Sequence, residues 1–151
     1  MPGYFNGLIQ KLDYIKALGI DAIWLAPFQP TPGEDDGYDV ADYYGVDDRL
    51  GSSGDFVEFM HQAEKWGIRV IMDLVINHTS DQHPWFKNSR QSKTSKYRDW
   101  YVWSKNRPKD ADKGMVFPGV QTEVWTIDSL TKEYYNHRFY DFQPDLNFSN
   151  P

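Results

Sequence analysis

The 151-residue sequence contains no cysteine, which excludes a disulfide framework and any thiolate metal site. It has no apolar run near the roughly 18 residues that a membrane-spanning helix requires. Basic residues are few: 16 Lys and Arg against 22 Asp and Glu give a net charge of −6, so nucleic acid is not an expected partner. The N-terminal residues lack the charged and apolar regions of a signal peptide, which predicts a soluble cytoplasmic protein.

The first third of the chain alternates between helical and strand patterns. Apolar residues at helical spacing, followed by Gly19, predict an amphipathic helix over Phe5–Leu18. The apolar run Ala22–Phe28 predicts a buried strand, because a loop rich in Pro and Gly follows it. The predicted order therefore begins with a helix followed by a strand.

A second helix and strand follow that loop. Ser52 and Asp55 form a capping-box pattern before a helix that Gly67 ends. Residues Arg69–Ser80 then supply an almost continuous apolar run, interrupted by Asp73, which predicts a strand buried on both faces of a parallel sheet. Since a helix joins the two strands, they should be parallel with a right-handed crossover.

Two parallel strands and two helices leave sheet edges unpaired, so we expect the sequence to be a fragment whose partner is the remainder of a larger sheet.

The composition changes after residue 79. Beyond Ser80 aromatic and charged residues alternate; residues 124–127 and 133–139 predict a hairpin, and Tyr97–Trp103 a further strand. The four tryptophans of this part are expected to serve mostly as core. The predicted divisions are 1–79, an insertion over 80–142 and a return segment over 143–151.

Polar residues gather at the predicted C-terminal ends of both strands, the side that faces the ligand in parallel α/β folds. Alone, His78 is as readily a structural histidine as a site residue, and the Asp36-Gly37 pair is an ordinary turn. Together with Asp35 and Tyr38, however, His78 would supply a carboxylate, a phenol and an imidazole to one face. Carboxylates accept hydrogen bonds from vicinal hydroxyls and aromatic rings cover sugar faces, so the combination favours a carbohydrate pocket.

Three motifs resemble the α-amylase family of glycoside hydrolases, family 13. DLVINH at Asp73–His78 resembles the family's first signature region, DDGYD at Asp35–Asp39 its strand-two loop, and QPDLN at Gln143–Asn147 its fifth region. Their order and spacing fit, and QPDLN is similar to the oligo-1,6-glucosidase and trehalose synthase branch. The resemblance implies an α/β fold: a partial (β/α)₈ TIM barrel of helix, strand, helix and strand with a β-rich domain B insertion.

The same resemblance implies roles for single residues. Asp35 and Tyr38 would hold the non-reducing glucose, and His78 would bind the same sugar and stabilise the transition state. Gln143 would face the pocket near the leaving group, and Asp73 would be structural. Asn77 and Asp145 resemble oxygen ligands of a calcium ion, and no organic cofactor is expected.

The implied substrate is an α-glucoside or malto-oligosaccharide. A retaining glycosidase needs two carboxyl groups roughly 5 Å apart, and in the family these lie on later strands, so the fragment itself should be inactive. A non-catalytic amylase-like interaction domain, of the transporter heavy-chain type, is the alternative, although such proteins tend to lose pocket residues that this sequence retains. A bare carbohydrate-binding module is a weaker third interpretation.

Overall fold

A computed structural model describes residues 4–151. The chain divides into two compact units: residues up to Thr31 with Asp42–Leu74 form the first, and Pro32–Ala41 with Val75–Pro151 form the second. The predicted divisions at residues 80 and 143 remain predictions. Within residues 4–151, no helix combines the length and the apolar character needed to cross a membrane.

The first unit contains a parallel pair of strands joined by a helix. Its elements are α1 (Tyr4–Ile9), α2 (Leu12–Ala17), β1 (Ala22–Leu25), α3 (Ser53–Lys65) and β2 (Arg69–Met72). The strands pair in parallel, with Ala22 opposite Arg69 and Leu25 opposite Met72. The predicted parallel pairing across a helix is confirmed.

The predicted helix over Phe5–Leu18 is wrong in one respect, because the segment forms two short helices. The break lies at Lys11, whose φ is −116° and whose N–H bonds to Leu8 O, three residues back, at 2.9 Å. Phe5 and Leu12 are nevertheless buried in the same core, so the apolar periodicity continues across the break and hides it. Strand β1 also ends three residues earlier than predicted, before Pro27, which has no N–H for a strand ladder.

Helix α3 begins as its sequence predicts. The Ser52 hydroxyl accepts a hydrogen bond from Asp55 N at 3.1 Å, and the Asp55 carboxylate accepts one from Ser52 N at 2.8 Å. This reciprocal capping box satisfies two of the N–H groups that a helix start leaves unpaired.

Apolar side chains fill the core of the first unit. Phe5 and Phe59 are almost fully buried, with ring centroids 5.7 Å apart, and Phe28 packs edge-on against Phe5. The predicted burial of β2 on both faces is wrong for this structure, because Ile71 and Leu74 are 54% and 62% exposed. Within residues 4–151 the sheet has only β1 and β2, so no further strand covers these side chains.

The second unit is an antiparallel sheet with one helix. Strand β5 (Tyr134–Asn136) lies between β3 (Trp103–Ser104) and β4 (Trp125–Ile127), and α4 spans Pro84–Ser89. The hairpin of β4 and β5 confirms the predicted one. The predicted strand over 97–103 is mostly wrong, because residues Arg98–Trp100 form a 3-10 turn and only Trp103 enters the sheet.

Aromatic rings and ion pairs form the interior of the second unit. Phe86, Tyr101 and Tyr135 make a buried cluster, and Trp85 and Trp103 pack against it. Both of these tryptophans therefore serve as core, as predicted. The cluster is bordered by the ion pairs Arg90–Asp128 and Arg98–Glu133.

Candidate functional site

A tight turn presents Asp35 and Tyr38 in the second unit. Tyr38 N donates to Asp35 O at 2.9 Å, and the two central residues both have positive φ, 48° at Asp36 and 104° at Gly37. Turns of this kind favour glycine and tolerate aspartate, which explains the Asp36-Gly37 pair. The turn leaves the side chains of Asp35 and Tyr38 half-buried.

The main chain of this turn is held by Asp39, a residue that the sequence interpretation gave no role. Asp39 is fully buried, and its carboxylate accepts hydrogen bonds from Glu34 N at 2.9 Å and Asp35 N at 3.2 Å. A buried carboxylate is stable only with such partners. Its place inside the DDGYD motif is the signal that could have identified it.

His78 is bonded to the same turn. Its Nε2 lies 3.1 Å from Tyr38 O, and its Nδ1 lies 3.3 Å from Asn77 Nδ2. The tautomer with the proton on Nε2 satisfies both contacts, because a carbonyl only accepts and an amide NH₂ only donates. The imidazole is 4% exposed and lies edge-on to Phe139, with ring centroids 5.2 Å apart.

The surroundings of His78 favour an uncharged ring. Burial lowers its pKa, and this effect outweighs the opposing effects of the Tyr38 carbonyl and of the nearby Asp35 and Asp39 carboxylates. At neutral pH the ring is therefore a neutral hydrogen-bonding group. Phe139, which covers it, is a residue that the sequence interpretation did not single out.

Gln143 lies inside the protein. Its side chain is 0% exposed; its Nε2 donates to Asp35 Oδ2 at 2.7 Å and its Oε1 accepts from Tyr140 N at 3.3 Å. The family resemblance predicts that Gln143 faces the pocket near the leaving group. In the structure both ends of its amide are engaged by the chain, and its neighbour is the carboxylate of the turn.

The structure thus brings together four of the predicted residues, Asp35, Tyr38, His78 and Gln143. Within residues 4–151 the Asp35 Oδ1 atom accepts no hydrogen bond, so this half-buried carboxylate keeps acceptor capacity. Asp73 belongs to the first unit, where it is half-buried and its N–H donates to Leu25 O at 3.1 Å.

Asn77 and Asp145, the predicted calcium ligands, bond to each other. Asn77 Nδ2 donates to Asp145 Oδ1 at 2.9 Å, and Arg138 N donates to the same oxygen at 3.1 Å. Burial raises the pKa of Asp145 despite these hydrogen bonds. In the described residues no three acidic or histidine side chains gather to hold a metal ion. Two side chains supply only part of the six to eight oxygens that calcium takes, so the calcium site stays a prediction.

The structure matches solved structures of amylase-family barrel enzymes along almost its entire length. Against the trehalulose synthase from Pseudomonas mesoacidophila MX-45 the TM-score is 0.88 at 46% identity, over 99% of this chain and 27% of that one. Against the Bacillus licheniformis trehalose-6-phosphate hydrolase it is 0.89 at 41% identity, over 98% and 27%. These matches define the class: the chain has the fold of part of an amylase-family (β/α)₈ barrel.

The sequence comparison identifies the family. The alpha-amylase catalytic domain matches residues 2–151, and the chain belongs to that family. It is 46% identical over 151 residues to the oligo-1,6-glucosidase of Parageobacillus thermoglucosidasius and 48% identical over 149 residues to the trehalose synthase of Pimelobacter sp. (strain R48). It spans about a quarter of the length of each relative, 26% in both cases. The family and branch predicted from the motifs are confirmed.

Proposed function

We propose that this chain is the glucose-holding part of a retaining enzyme that acts on α-glucosidic bonds of maltose or short malto-oligosaccharides. The enzyme is of the α-glucosidase type or of the maltose-glucosyltransferase type exemplified by trehalose synthase. The observation that carries the proposal is the group formed by Asp35, Tyr38 and His78 in a chain of this family.

Each of these residues has a chemical task in the proposal. The half-buried Asp35 accepts hydrogen bonds from sugar hydroxyls through the oxygen that the chain leaves open, and Tyr38 packs against the ring. His78 is neutral, so it contributes a hydrogen bond rather than a charge beside the anomeric centre. In the bound state a hydroxyl of the sugar would take over the Nε2 bond now made to the Tyr38 carbonyl.

In the proposed enzyme the two reacting carboxylates lie outside these 151 residues. Retaining hydrolysis needs a nucleophile and an acid/base about 5 Å apart. No residue of the chain matches the family's motifs for that pair, so residues 1–151 bind and orient glucose without cleaving a bond. The exposed side chains of β1 and β2, such as Trp24 and Ile71, are then the faces that the remaining barrel strands cover.

The test is incubation of the full-length protein that carries this chain with maltose. Glucose as the product supports the hydrolase, and trehalose supports the transferring enzyme. The purified 151-residue chain is the matched control, and it should release neither sugar above a blank. If the full-length protein acts on no α-glucoside, the proposal fails, and the non-catalytic interaction domain becomes the better account.

A further inference from the structure

We infer that Gln143 is a positioning residue, which aims the Asp35 carboxylate at the sugar and does not itself contact the substrate. The observation that carries this inference is the hydrogen bond between side chains 108 residues apart, from Gln143 Nε2 to Asp35 Oδ2 at 2.7 Å. The inference rests on the proposed function only in naming the sugar as the ligand of Asp35.

Burial separates the two roles. Gln143 is 0% exposed whereas Asp35 is only half-buried, so a molecule arriving from solvent can contact Asp35 and not Gln143. The Gln143 amide also has a partner at each end, since Tyr140 N donates to its Oε1. The amide keeps one further N–H and one further lone pair, but because Gln143 is 0% exposed a sugar hydroxyl could reach them only if the surrounding chain moved.

The amide completes a set of constraints on Asp35. The turn to Tyr38 fixes the direction of the chain, and Asp39 accepts the N–H groups of Glu34 and Asp35. These bonds hold the backbone of Asp35 but leave its side-chain torsions free. Gln143 is the residue that fixes the carboxylate itself, by engaging Oδ2 and leaving Oδ1 toward the ligand.

The chemistry of the amide suits this task better than a cation would. A lysine or arginine here would form an ion pair with Asp35 and compete with the sugar for its charge. A neutral N–H donor orients the carboxylate and leaves its full negative charge for the hydroxyls. Glu34, Asp36 and Asp39 surround Asp35 in the sequence, so these neighbours offer no side-chain N–H donor of their own.

The decisive experiment is a double-mutant cycle in the full-length protein with Q143M, which keeps the side-chain length and removes the donor. We expect Q143M to raise KM for maltose about ten- to hundred-fold, the range for a hydrogen bond to a charged group, with a smaller change in kcat. In the background of Asp35→Ala, the second substitution should change kcat/KM by no more than about two-fold, because Gln143 then has nothing to position. Losses that multiply in the double variant would overturn the inference.

Gln62→Met is the matched control. The Gln62 amide also donates to a carboxylate, Glu58 Oε1 at 2.6 Å, but it does so on the exposed face of α3. This variant should leave KM and kcat unchanged. An equal rise of KM in Gln62→Met would show that losing any such amide perturbs the protein, and it would count against a specific role for Gln143.

Ligand-free crystal structures of the wild type and Q143M test the same inference without activity. We expect the Asp35 carboxylate to rotate or lose defined density in Q143M, while the turn and the Asp39 hydrogen bonds remain. An unchanged carboxylate would overturn the positioning role even in an active enzyme. If the wild type is inactive and the Asp35 carboxylate still moves in Q143M, the proposed function is wrong and the positioning role of Gln143 is supported.

Discussion

The two units of this chain are stabilised by different interactions. Among the described residues of the first unit, the buried cluster is apolar and the buried polar side chains are Gln29 and Asp47. The ion pairs Lys16–Asp21 and Arg49–Asp47 each include an exposed partner. The second unit buries many more polar and charged side chains in directional contacts, among them Asp39, Asp128 and Gln143. Its Arg98 guanidinium also stacks 3.6 Å from the centroid of the Trp103 ring.

This difference accounts for where the candidate site lies. Apolar contacts are non-directional, so they stabilise a fold without fixing any polar atom to within a few tenths of an ångström. Buried hydrogen bonds do fix such atoms, because an unmade bond costs the full desolvation of the group. A sugar site needs fixed acceptors, and the described groups predicted to bind sugar all lie in the second unit.

The largest expected effect is the loss of packing in the first unit. Phe59→Ala should lower the free energy of local unfolding by about 3–5 kcal/mol, because the ring is fully buried against Phe5 and its removal leaves a cavity. Native-state hydrogen exchange of the α3 amides measures this change. Val57→Ala, at a position of α3 that is 65% exposed, is the control and should change the value by no more than about 0.5 kcal/mol. If both variants lower the free energy of local unfolding equally, buried apolar packing is not what stabilises this unit.

The matching substitution in the second unit is Asp128→Ala. The Asp128 carboxylate accepts hydrogen bonds from Thr131 N at 2.7 Å and Thr131 Oγ1 at 2.9 Å and pairs with Arg90. Burial alone would raise its pKa, but the Thr131 hydrogen bonds and the Arg90 charge outweigh burial and lower it. Removing the carboxylate leaves these donors unpaired, so we expect a loss of about 3 kcal/mol in the hairpin of β4 and β5.

Hydrogen exchange of the β5 amides checks this prediction. Asp128→Asn should cost less, because it keeps the shape and one acceptor oxygen. The exposed Asp112→Ala should cost almost nothing and is the control. A negligible effect of Asp128→Ala would mean that the ion pair merely offsets its own desolvation, and the contrast between the units would disappear.

The smallest expected effect is a difference in acid sensitivity. Burial lowers the pKa of His137 and of His78, so in the second unit the folded state favours the neutral rings. This stability is complete above the ordinary histidine pKa of about 6.5 and is lost as the pH falls below it. In the first unit, hydrogen bonds from Arg49 and Ser52 lower the pKa values of the Asp47 and Asp55 carboxyl groups. The stability that these bonds contribute to the folded state is lost only below about pH 3.9, the ordinary pKa of aspartate.

Hydrogen exchange, corrected for intrinsic rates, should therefore show the second unit opening more readily at pH 5 than at pH 7 while the first does not change. His137→Gln should reduce the difference, because Gln keeps polar contacts to Thr126 and does not titrate in this range. Parallel changes in both units would count against the buried histidines as the cause.

Several features were predictable because their signals are local. Ser52 and Asp55 cap α3 within one helical turn, and the β4–β5 hairpin closes over a short connection. The break between α1 and α2 was not predictable from periodicity, because Phe5 and Leu12 keep their spacing across it. The exposure of Ile71 was missed for another reason: an apolar run shows that a strand can be buried, and not which neighbours are present to bury it.

By itself the sequence determined the family, the parallel pairing of β1 and β2 and the identity of Asp35, Tyr38 and His78 as candidate site residues. Only the tertiary structure decided how these groups are held. The contact of Gln143 with Asp35 joins positions 108 residues apart, and its existence depends on the path of the whole intervening chain. Motifs identify side chains, whereas burial and hydrogen-bond direction arise from the packing around those side chains. Only burial and hydrogen-bond direction distinguish a residue that contacts the sugar from a residue that positions it.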